Sequence, residues 1–387
     1  MKKISKTILI AAVIVVFIMI GTAVINRKNI FRQFYKPTPT MTQEGVKISD
    51  GETQVKKTEK KDFEIIAENL QIPWEIAFLP DGDLLVTERP GTLKRIGKEK
   101  QTYPVEGVEH IGEGGLLGMA LHPEFPDNRW IYLYFTTKAG NSFKNKVERY
   151  RFLDDRLFEK EIIIDNIPGA IYHDGGRIAF DAYGYLHITT GDAGNSDLAQ
   201  NINSLAGKIL RVKDDGSIPP DNPFGNAVYS FGHRNPQGLA WDNKGRLWAI
   251  EHGRSGLVSG LDELNLIEKG ANYGWPIIQG DEEKQGMKTP IINSGPNETW
   301  APAGAIYLNE RIFFTGLRGE SLYAAKIFPD GKVEYLKAHF REEFGRLRAI
   351  QKGPDGYLYF TTSNTDGRGA PHLNDDKIIR INPEIFF

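Results

Sequence analysis

The chain has 387 residues, of which 40% are hydrophobic and 25% charged, with 41 glycines, 21 prolines and a formal net charge of −2. That balance makes nucleic acid an unexpected partner, because bulk nucleic-acid binding draws on a strongly basic domain. The lack of cysteine excludes disulfides, thiolate metal sites and cysteine nucleophiles.

At the N-terminus, Lys2, Lys3 and Lys6 precede an uncharged apolar run over residues 7–25. As a helix rising about 1.5 Å per residue, this run nearly spans a hydrocarbon core of roughly 30 Å. A secretory signal has a shorter apolar region and a small-residue cleavage site, for which Gly21–Val24 is a poor candidate. Residues 1–25 therefore read as a membrane anchor, with a cleaved signal as the alternative. Arg27, Lys28 and Arg32 beyond the run weaken any argument about orientation. Both readings export the body, so an extracytoplasmic location is expected, membrane-anchored or secreted. Residues 26–61, including KPTPTMTQEGVK, are polar, proline-containing and aperiodic, and read as a flexible linker.

The body, residues 62–387, carries an internal repeat: an apolar strand, a polar turn often ending in glycine, and a second alternating strand. It occurs as WEIAFLPDGDLLVTE (74–88), LGMALHPEFPDNRWIYLYFTT (117–137), GRIAFDAYGYLHITTGD (176–192), QGLAWDNKGRLWAIEHG (237–253), GAIYLNERIFFTG (304–316) and LRAIQKGPDGYLYFTTS (347–363). Each unit is a hairpin, and one hairpin cannot bury both of its faces. Radial stacking solves that problem and leaves only short edges, so the expected fold is all-β, a six-bladed propeller. A pair of stacked sandwiches is the alternative that the even recurrence disfavours. The ring closes if residues 62–69 pair beside residues 377–384.

A propeller's site lies on one face of its channel, fed by loops between blades. GEGGLLG (112–118), HDGGR (173–177), FGHRNPQG (231–238) and FGRLR (344–348) stand just before inner strands. GDAG (191–194), EHGRSG (251–256) and GLRG (316–319) stand just after strands. In that register Glu113, His173, Asp174, Arg234, Asn235, Arg346 and Arg348 converge at one end of the axis, with Arg318 from a neighbouring loop. One histidine then stands among four arginines with few carboxylates to neutralise them. Buried unpaired arginines are costly, so an anionic ligand is expected. Guanidinium forks suit a planar polycarboxylate, and the histidine suits general-base work near neutral pH.

Each residue also has a plainer reading. His173 alone reads as a loop histidine capping a strand, and Asp174 either orients His173 or caps the following turn. Asp192 and Asp262 satisfy backbone donors or stand near a cation. Glu342 and Glu343 offer ordinary salt bridges to Arg346 and Arg348. His122, His187 and His339 read as packing residues, whereas His233 and His252 neighbour the proposed site.

GEGGLLGMALHPEF, HDGGRIAFDAYGYLHITTGD, GKILRVKDDGSIPPDNPF, GHRNPQGLAWD, DELNLIEKGANYGWP and GRLRAI together resemble the soluble PQQ-dependent glucose and aldose sugar dehydrogenases, over about Ile72 to Ile381. The resemblance implies six blades, an aldose substrate and an electron acceptor that it does not identify. It implies that His173 takes the proton of the anomeric hydroxyl while hydride passes to PQQ, giving the lactone. Glu113, Arg234, Asn235, Arg318, Arg346 and Arg348 match cofactor-contact positions. The quinone-bound Ca²⁺ falls on the carbonyls of Gly253 and Arg254, and a second, structural Ca²⁺ near Asp281 and Glu283. Two positions depart from the family pattern: Glu113 stands where glutamine is common, and Arg318 near a usual lysine. An acid at 113 beside an anionic quinone must be protonated or paired with an arginine. A calcium-dependent lactonase and a non-catalytic propeller binding a glycan or protein are the alternatives.

Overall fold

A computed structural model describes residues 47–50, 63–97, 100–255 and 259–387. The apolar run over residues 7–25 and most of the expected linker lie outside the described residues. Among the described residues, no helix is long and apolar enough to cross a membrane.

Six four-stranded antiparallel units follow one another as the blades of a propeller. Blades 1 to 5 begin with the strands Pro73–Phe78, Leu116–Leu121, Ile178–Phe180, Pro236–Trp241 and Pro302–Leu308. Blade 6 begins with Leu347–Lys352, and every one of the six sequence repeats supplies the first two strands of a blade. The first strands of most neighbouring blades lie side by side, the first strand of blade 4 meets the second strand of blade 3, and Leu347–Lys352 returns to pack on Pro73–Phe78. Those six strands therefore surround the axis. Blade 6 takes its outermost strand from the start of the body: Phe63–Ala67 pairs antiparallel with Ile378–Ile381, Phe63 opposite Ile381. This is the expected ring closure, and it ties the two ends of the described body to one sheet.

One strand was not expected. Lys47–Asp50, inside the segment read as a flexible linker, runs parallel to Val333–His339, with Lys47 opposite Tyr335. The outer strand of a blade presents unpaired backbone groups, and any extended stretch within reach can pair with them.

Packing follows from the two-residue period of the strands. Phe313 and Phe314 are consecutive in the second strand of blade 5, and both are fully buried. Phe314 joins a core with Trp248 of blade 4, and Phe313 joins one with Phe360 of blade 6. Successive side chains point to opposite faces, so a strand pressed between two blades must be apolar throughout. Equivalent cores fill the other junctions, for example Leu85 with Leu133, Tyr134 with Ile188, Ile209 with Ala249, and Val86 with Tyr359.

Near the axis the inner strands approach so closely that side chains no longer fit. A Cβ on Gly118 would lie 2.1 Å from the Gly176 carbonyl, and one on Gly304 would lie 2.7 Å from the Arg348 carbonyl. That is why the motifs entering these strands are rich in glycine. It also brings their side-chain-bearing loops together at one end.

Candidate active site

The loops at that end enclose an open cavity of about 490 Å³ whose wall includes Glu113, His173, Arg234, Gly253, Arg254, Arg318 and Arg346. A smaller void is lined by Glu113, Asp174 and Arg348, and shares His252, Leu317 and Arg368 with the larger one. Asn235 lies beside them: its Oδ1 accepts the Gly175 N–H at 3.0 Å. The structure thus gathers most of the expected residues. Asp281 and Glu283 are not among them; both lie on an exposed loop, where Asp281 accepts a hydrogen bond from Asn293 at 2.7 Å.

His173 adopts a left-handed backbone conformation, φ 62°, on the loop entering blade 3. Its ring is oriented by Asp192, not by Asp174: Nδ1 lies 2.7 Å from Asp192 Oδ1. Asp192 also accepts the Gly194 N–H at 2.8 Å and the Trp275 indole N–H at 2.9 Å. Burial opposes the Asp192 charge, but the hydrogen bond and charge of His173 outweigh it and lower its pKa. With an anchored acceptor at Nδ1, the ring carries its proton there and keeps the Nε2 lone pair for a ligand. Asp174 points elsewhere. Its Oδ1 accepts from Asn145 at 2.9 Å and from the Ala170 N–H at 3.1 Å. Its Oδ2 is buried without a partner among the described residues, and burial raises its pKa to about 6.

The arginines are less starved of carboxylates than the sequence suggests. Arg346 donates to Asp366 at 2.7 and 3.0 Å, and the Arg348 fork lies 3.9 Å from the same carboxylate. Asp366, from the loop after the second strand of blade 6, holds the pair where Glu342 and Glu343 were the sequence candidates. Burial, reinforced by the neighbouring Arg89, lowers the pKa of Arg348 to about 9. Glu113 resolves its own difficulty by pairing with an arginine: Oε1 lies 2.5 Å from Arg368 Nη1, and Oε2 accepts the His173 N–H at 3.0 Å. Burial disfavours its charge, but Arg368 and that backbone donor hold its pKa down at about 2. Glu113 is ionised and spoken for.

Arg234 is a buried cation with capacity to spare. One of its N–H groups donates to Ser255 at 2.8 Å, its guanidinium lies 5.2 Å from the Trp275 ring, and its Nε has no partner among the described residues. Glu251 sets the turn by accepting the backbone N–H groups of Arg234 and Asn235. The other Glu251 oxygen lies 2.8 Å from His233, which in turn meets Ser230 at 2.9 Å. All three are buried, so this chain supports the turn. Asn235 keeps its Nδ2 unsatisfied among the described residues. Arg318 donates to Ser259 at 2.8 Å from the far wall.

Gly253 and Arg254 line the cavity, and the Arg254 carbonyl accepts the Gly260 N–H at 3.3 Å. Asp262 accepts the Gly253 N–H at 2.8 Å with one oxygen and Thr299, Trp300 and Ala301 donors with the other. Asp262 therefore satisfies backbone donors, as expected. His252 lines the cavity, but burial lowers its pKa to about 4 and keeps the imidazole neutral. His187 and His339 pack against rings, His187 against Trp241 at 5.3 Å and His339 against Phe386 at 4.9 Å.

Sequence reasoning missed Asp192 as the partner of His173, together with Asp366 and Arg368. The first had a legible signal. Pairing of Ile178 with Ile188 and of Ala179 with His187, continued toward the loop, carries residue 173 to residue 193. Arg368 lies 255 residues from Glu113 and had none.

The sequence signature described as Glucose / Sorbosone dehydrogenase matches residues 70–379. Aldose sugar dehydrogenase YliI of Escherichia coli strain K12 is 32% identical, over 79% of this chain and 90% of that protein. Quinoprotein glucose dehydrogenase B of Acinetobacter calcoaceticus is 33% identical, over 63% of this chain and 58% of that protein. Among solved structures, the PQQ-bound form of Aldose Sugar Dehydrogenase from Streptomyces coelicolor is 38% identical and superposes with a TM-score of 0.77, covering 83% of this chain and 97% of that one. The six-bladed fold agrees with that match, and the chain belongs to the glucose/sorbosone dehydrogenase family.

Proposed function

We propose that the chain is a PQQ- and Ca²⁺-dependent aldose dehydrogenase that oxidises the anomeric hydroxyl of a sugar to the lactone, with His173 as general base. One observation carries this reading: His173 stands on the wall of a cavity large enough for a tricyclic cofactor, with Nδ1 locked by Asp192 and arginines on the surrounding walls. The relatives named as quinoprotein and PQQ-bound proteins support the choice of cofactor.

The residues present fit the group. Arg234, on the cavity wall, keeps a buried Nε without a partner among the described residues, and a carboxylate of a planar anion would satisfy it. Arg318 and Arg346 stand on the same cavity wall. When bound, PQQ supplies the two-electron acceptor for the hydride leaving the anomeric carbon. His173 Nε2 takes the hydroxyl proton as the C–H bond breaks and the C=O bond forms. Asp192 keeps the ring in the tautomer that allows this and stabilises the imidazolium that results. Glu113, holding the His173 N–H, fixes the loop that presents the base.

A hard cation at the Gly253 and Arg254 carbonyls would polarise an oxygen of the bound anion. Asp262 holds the Gly253 peptide in place for that role. Asp281 and Glu283 do not fit a second site as first read: both are exposed, and no group of three or more His, Asp or Glu converges among the described residues. The same finding weighs against a calcium-centred lactonase. Electrons would leave to an acceptor outside the cytoplasm, with residues 1–25 as anchor or export signal.

The test is reconstitution of the protein with PQQ and Ca²⁺, followed by dye reduction with a panel of aldoses. Sugar-dependent turnover that requires both additions supports the reading. Lactone hydrolysis without PQQ would replace it with the lactonase, and glycan binding with neither activity would leave a binding propeller.

A further inference from the structure

The cavity wall mixes charged side chains with apolar surface from Leu317 and Ala301. Among the described residues lining it there is one Phe, Tyr or Trp side chain, Tyr172, immediately before the histidine. Its ring is 4.9 Å from the His173 ring at an interplanar angle of 70°. Tyr172 remains 42% exposed, and its hydroxyl donates to no partner among the described residues. The hydroxyl is open to solvent, so the ring presents an apolar body and a polar tip at the cavity.

The position is built. Glu113 grips the chain on both sides of Tyr172: its N–H donates to the Ile171 carbonyl at 2.9 Å, and its carboxylate accepts the His173 N–H at 3.0 Å. On the other side Gly194 leaves room for the ring, because a Cβ there would lie 2.7 Å from Tyr172 Cε2. The ring is thus pre-placed on a clamped loop, and binding does not have to order it.

Building on the proposed dehydrogenase, we infer that Tyr172 is the platform on which the apolar face of the aldopyranose lies while its anomeric hydroxyl meets His173. A pyranose is amphipathic. Its hydroxyls suit the charged walls, whereas the axial C–H groups of one face need an apolar surface, and Tyr172 is the aromatic one that the described cavity wall offers. Stacking against the ring would hold the sugar's plane and so fix which carbon approaches the base.

The test compares wild type, Tyr172→Phe and Tyr172→Ala, all loaded with PQQ and Ca²⁺. Three readouts are taken: PQQ affinity, the steady-state constants for aldoses, and saturation transfer from protein to sugar by NMR. Truncation to alanine should raise KM roughly tenfold, since a ring face of apolar contact is lost. PQQ affinity should change less than about twofold, the phenylalanine variant should restore most of the lost KM, and saturation of the axial sugar protons should vanish in the alanine variant. An unchanged KM and saturation pattern in Tyr172→Ala overturns the platform. Loss of PQQ binding instead would make Tyr172 a cofactor contact, which also overturns it. The NMR readout separates this idea from the parent reading: saturation that depends on Tyr172 in a protein without turnover retains the platform and rejects the dehydrogenase. Absence of any saturation in wild type rejects the platform.

Discussion

Glu113 and Arg368 meet at 2.5 Å at the wall of the cavity although 255 residues separate them. The pair joins the loop entering blade 2 to the loop that follows the second strand of blade 6. It also reaches the proposed base, because the same carboxylate accepts the His173 N–H. Arg368 is 61% exposed, so solvent screens the attraction. A double-mutant cycle of Glu113→Gln and Arg368→Gln should therefore give a coupling below about 1 kcal/mol that shrinks with added salt. The sign in pH follows from a depressed carboxylate: its contribution is complete above the ordinary glutamate range and is lost as pH falls toward about 2. A coupling of several kcal/mol, insensitive to salt, would contradict this account.

Asp192 is the residue whose loss should most resemble loss of the base. Asp192→Asn keeps the shape but offers a donor where Nδ1–H needs an acceptor, which favours the wrong tautomer. Turnover should fall by roughly 10²–10⁴ with little change in PQQ affinity. Asp174→Asn should leave the His173 ring in place, so its turnover should lie well above that of Asp192→Asn. Equal losses in the two variants would mean that the 2.7 Å contact between His173 and Asp192 is not what organises the base.

Asp174 carries a separate, thermodynamic prediction. Burial raises its pKa to about 6 in the folded chain, from 3.8. The folded state then holds a proton that the unfolded state has lost between those values, so stability falls as pH rises from about 4 to about 6. By linkage the cost at neutral pH is on the order of 3 kcal/mol. Asp174→Asn should flatten that part of the stability profile and be more stable than wild type near pH 8, as read by denaturant titration at several pH values. A profile unchanged by the substitution would show that the carboxyl titrates normally.

Lys208 is fully buried, and its ammonium donates to the carbonyls of Leu198, Ala199 and Ala206 at 2.8, 3.0 and 2.6 Å. It thereby pins residues 198–206, the excursion that follows Asp192. Lys208→Ala removes three interior hydrogen bonds, leaving the Leu198 and Ala199 carbonyls with their backbone donors Asn201 and Gly232, and should cost roughly 2–5 kcal/mol of unfolding free energy. Calorimetry would show this as a lowered Tm, and a Tm within a degree of wild type would refute it.

Much of this architecture was legible because it rests on local patterns. Each hairpin announces itself by alternation and a turn, as in LPDGD, where Gly82 takes φ 90°. Six such units allow few closed arrangements, and the match of residues 62–69 with 377–384 follows from counting strands. The site was legible only in part. Loops standing just before inner strands must converge, so Glu113, His173, Arg234 and Arg346 could be placed together. Partnerships across the ring had no local trace: Asp366 and Arg368 belong to a loop whose sequence, NTDGRG, reads as an ordinary turn. Asp174 misled because adjacency in sequence is not adjacency in space. Next to a residue at φ 62°, its side chain turns away to Asn145 while Asp192 arrives from the other arm of the hairpin.

The central claim is that His173 removes the proton as hydride leaves the sugar, and a single-turnover experiment addresses it most directly. Wild type and His173→Ala would each be loaded with stoichiometric PQQ and Ca²⁺, mixed rapidly with glucose or another aldose, and followed by the absorbance of the oxidised quinone. The account predicts that both proteins retain PQQ, that sugar bleaches the quinone in wild type, and that bleaching slows by roughly 10²–10⁴ in the variant. Bleaching at the same rate in both proteins, or no quinone bound by wild type at micromolar concentration, would contradict it.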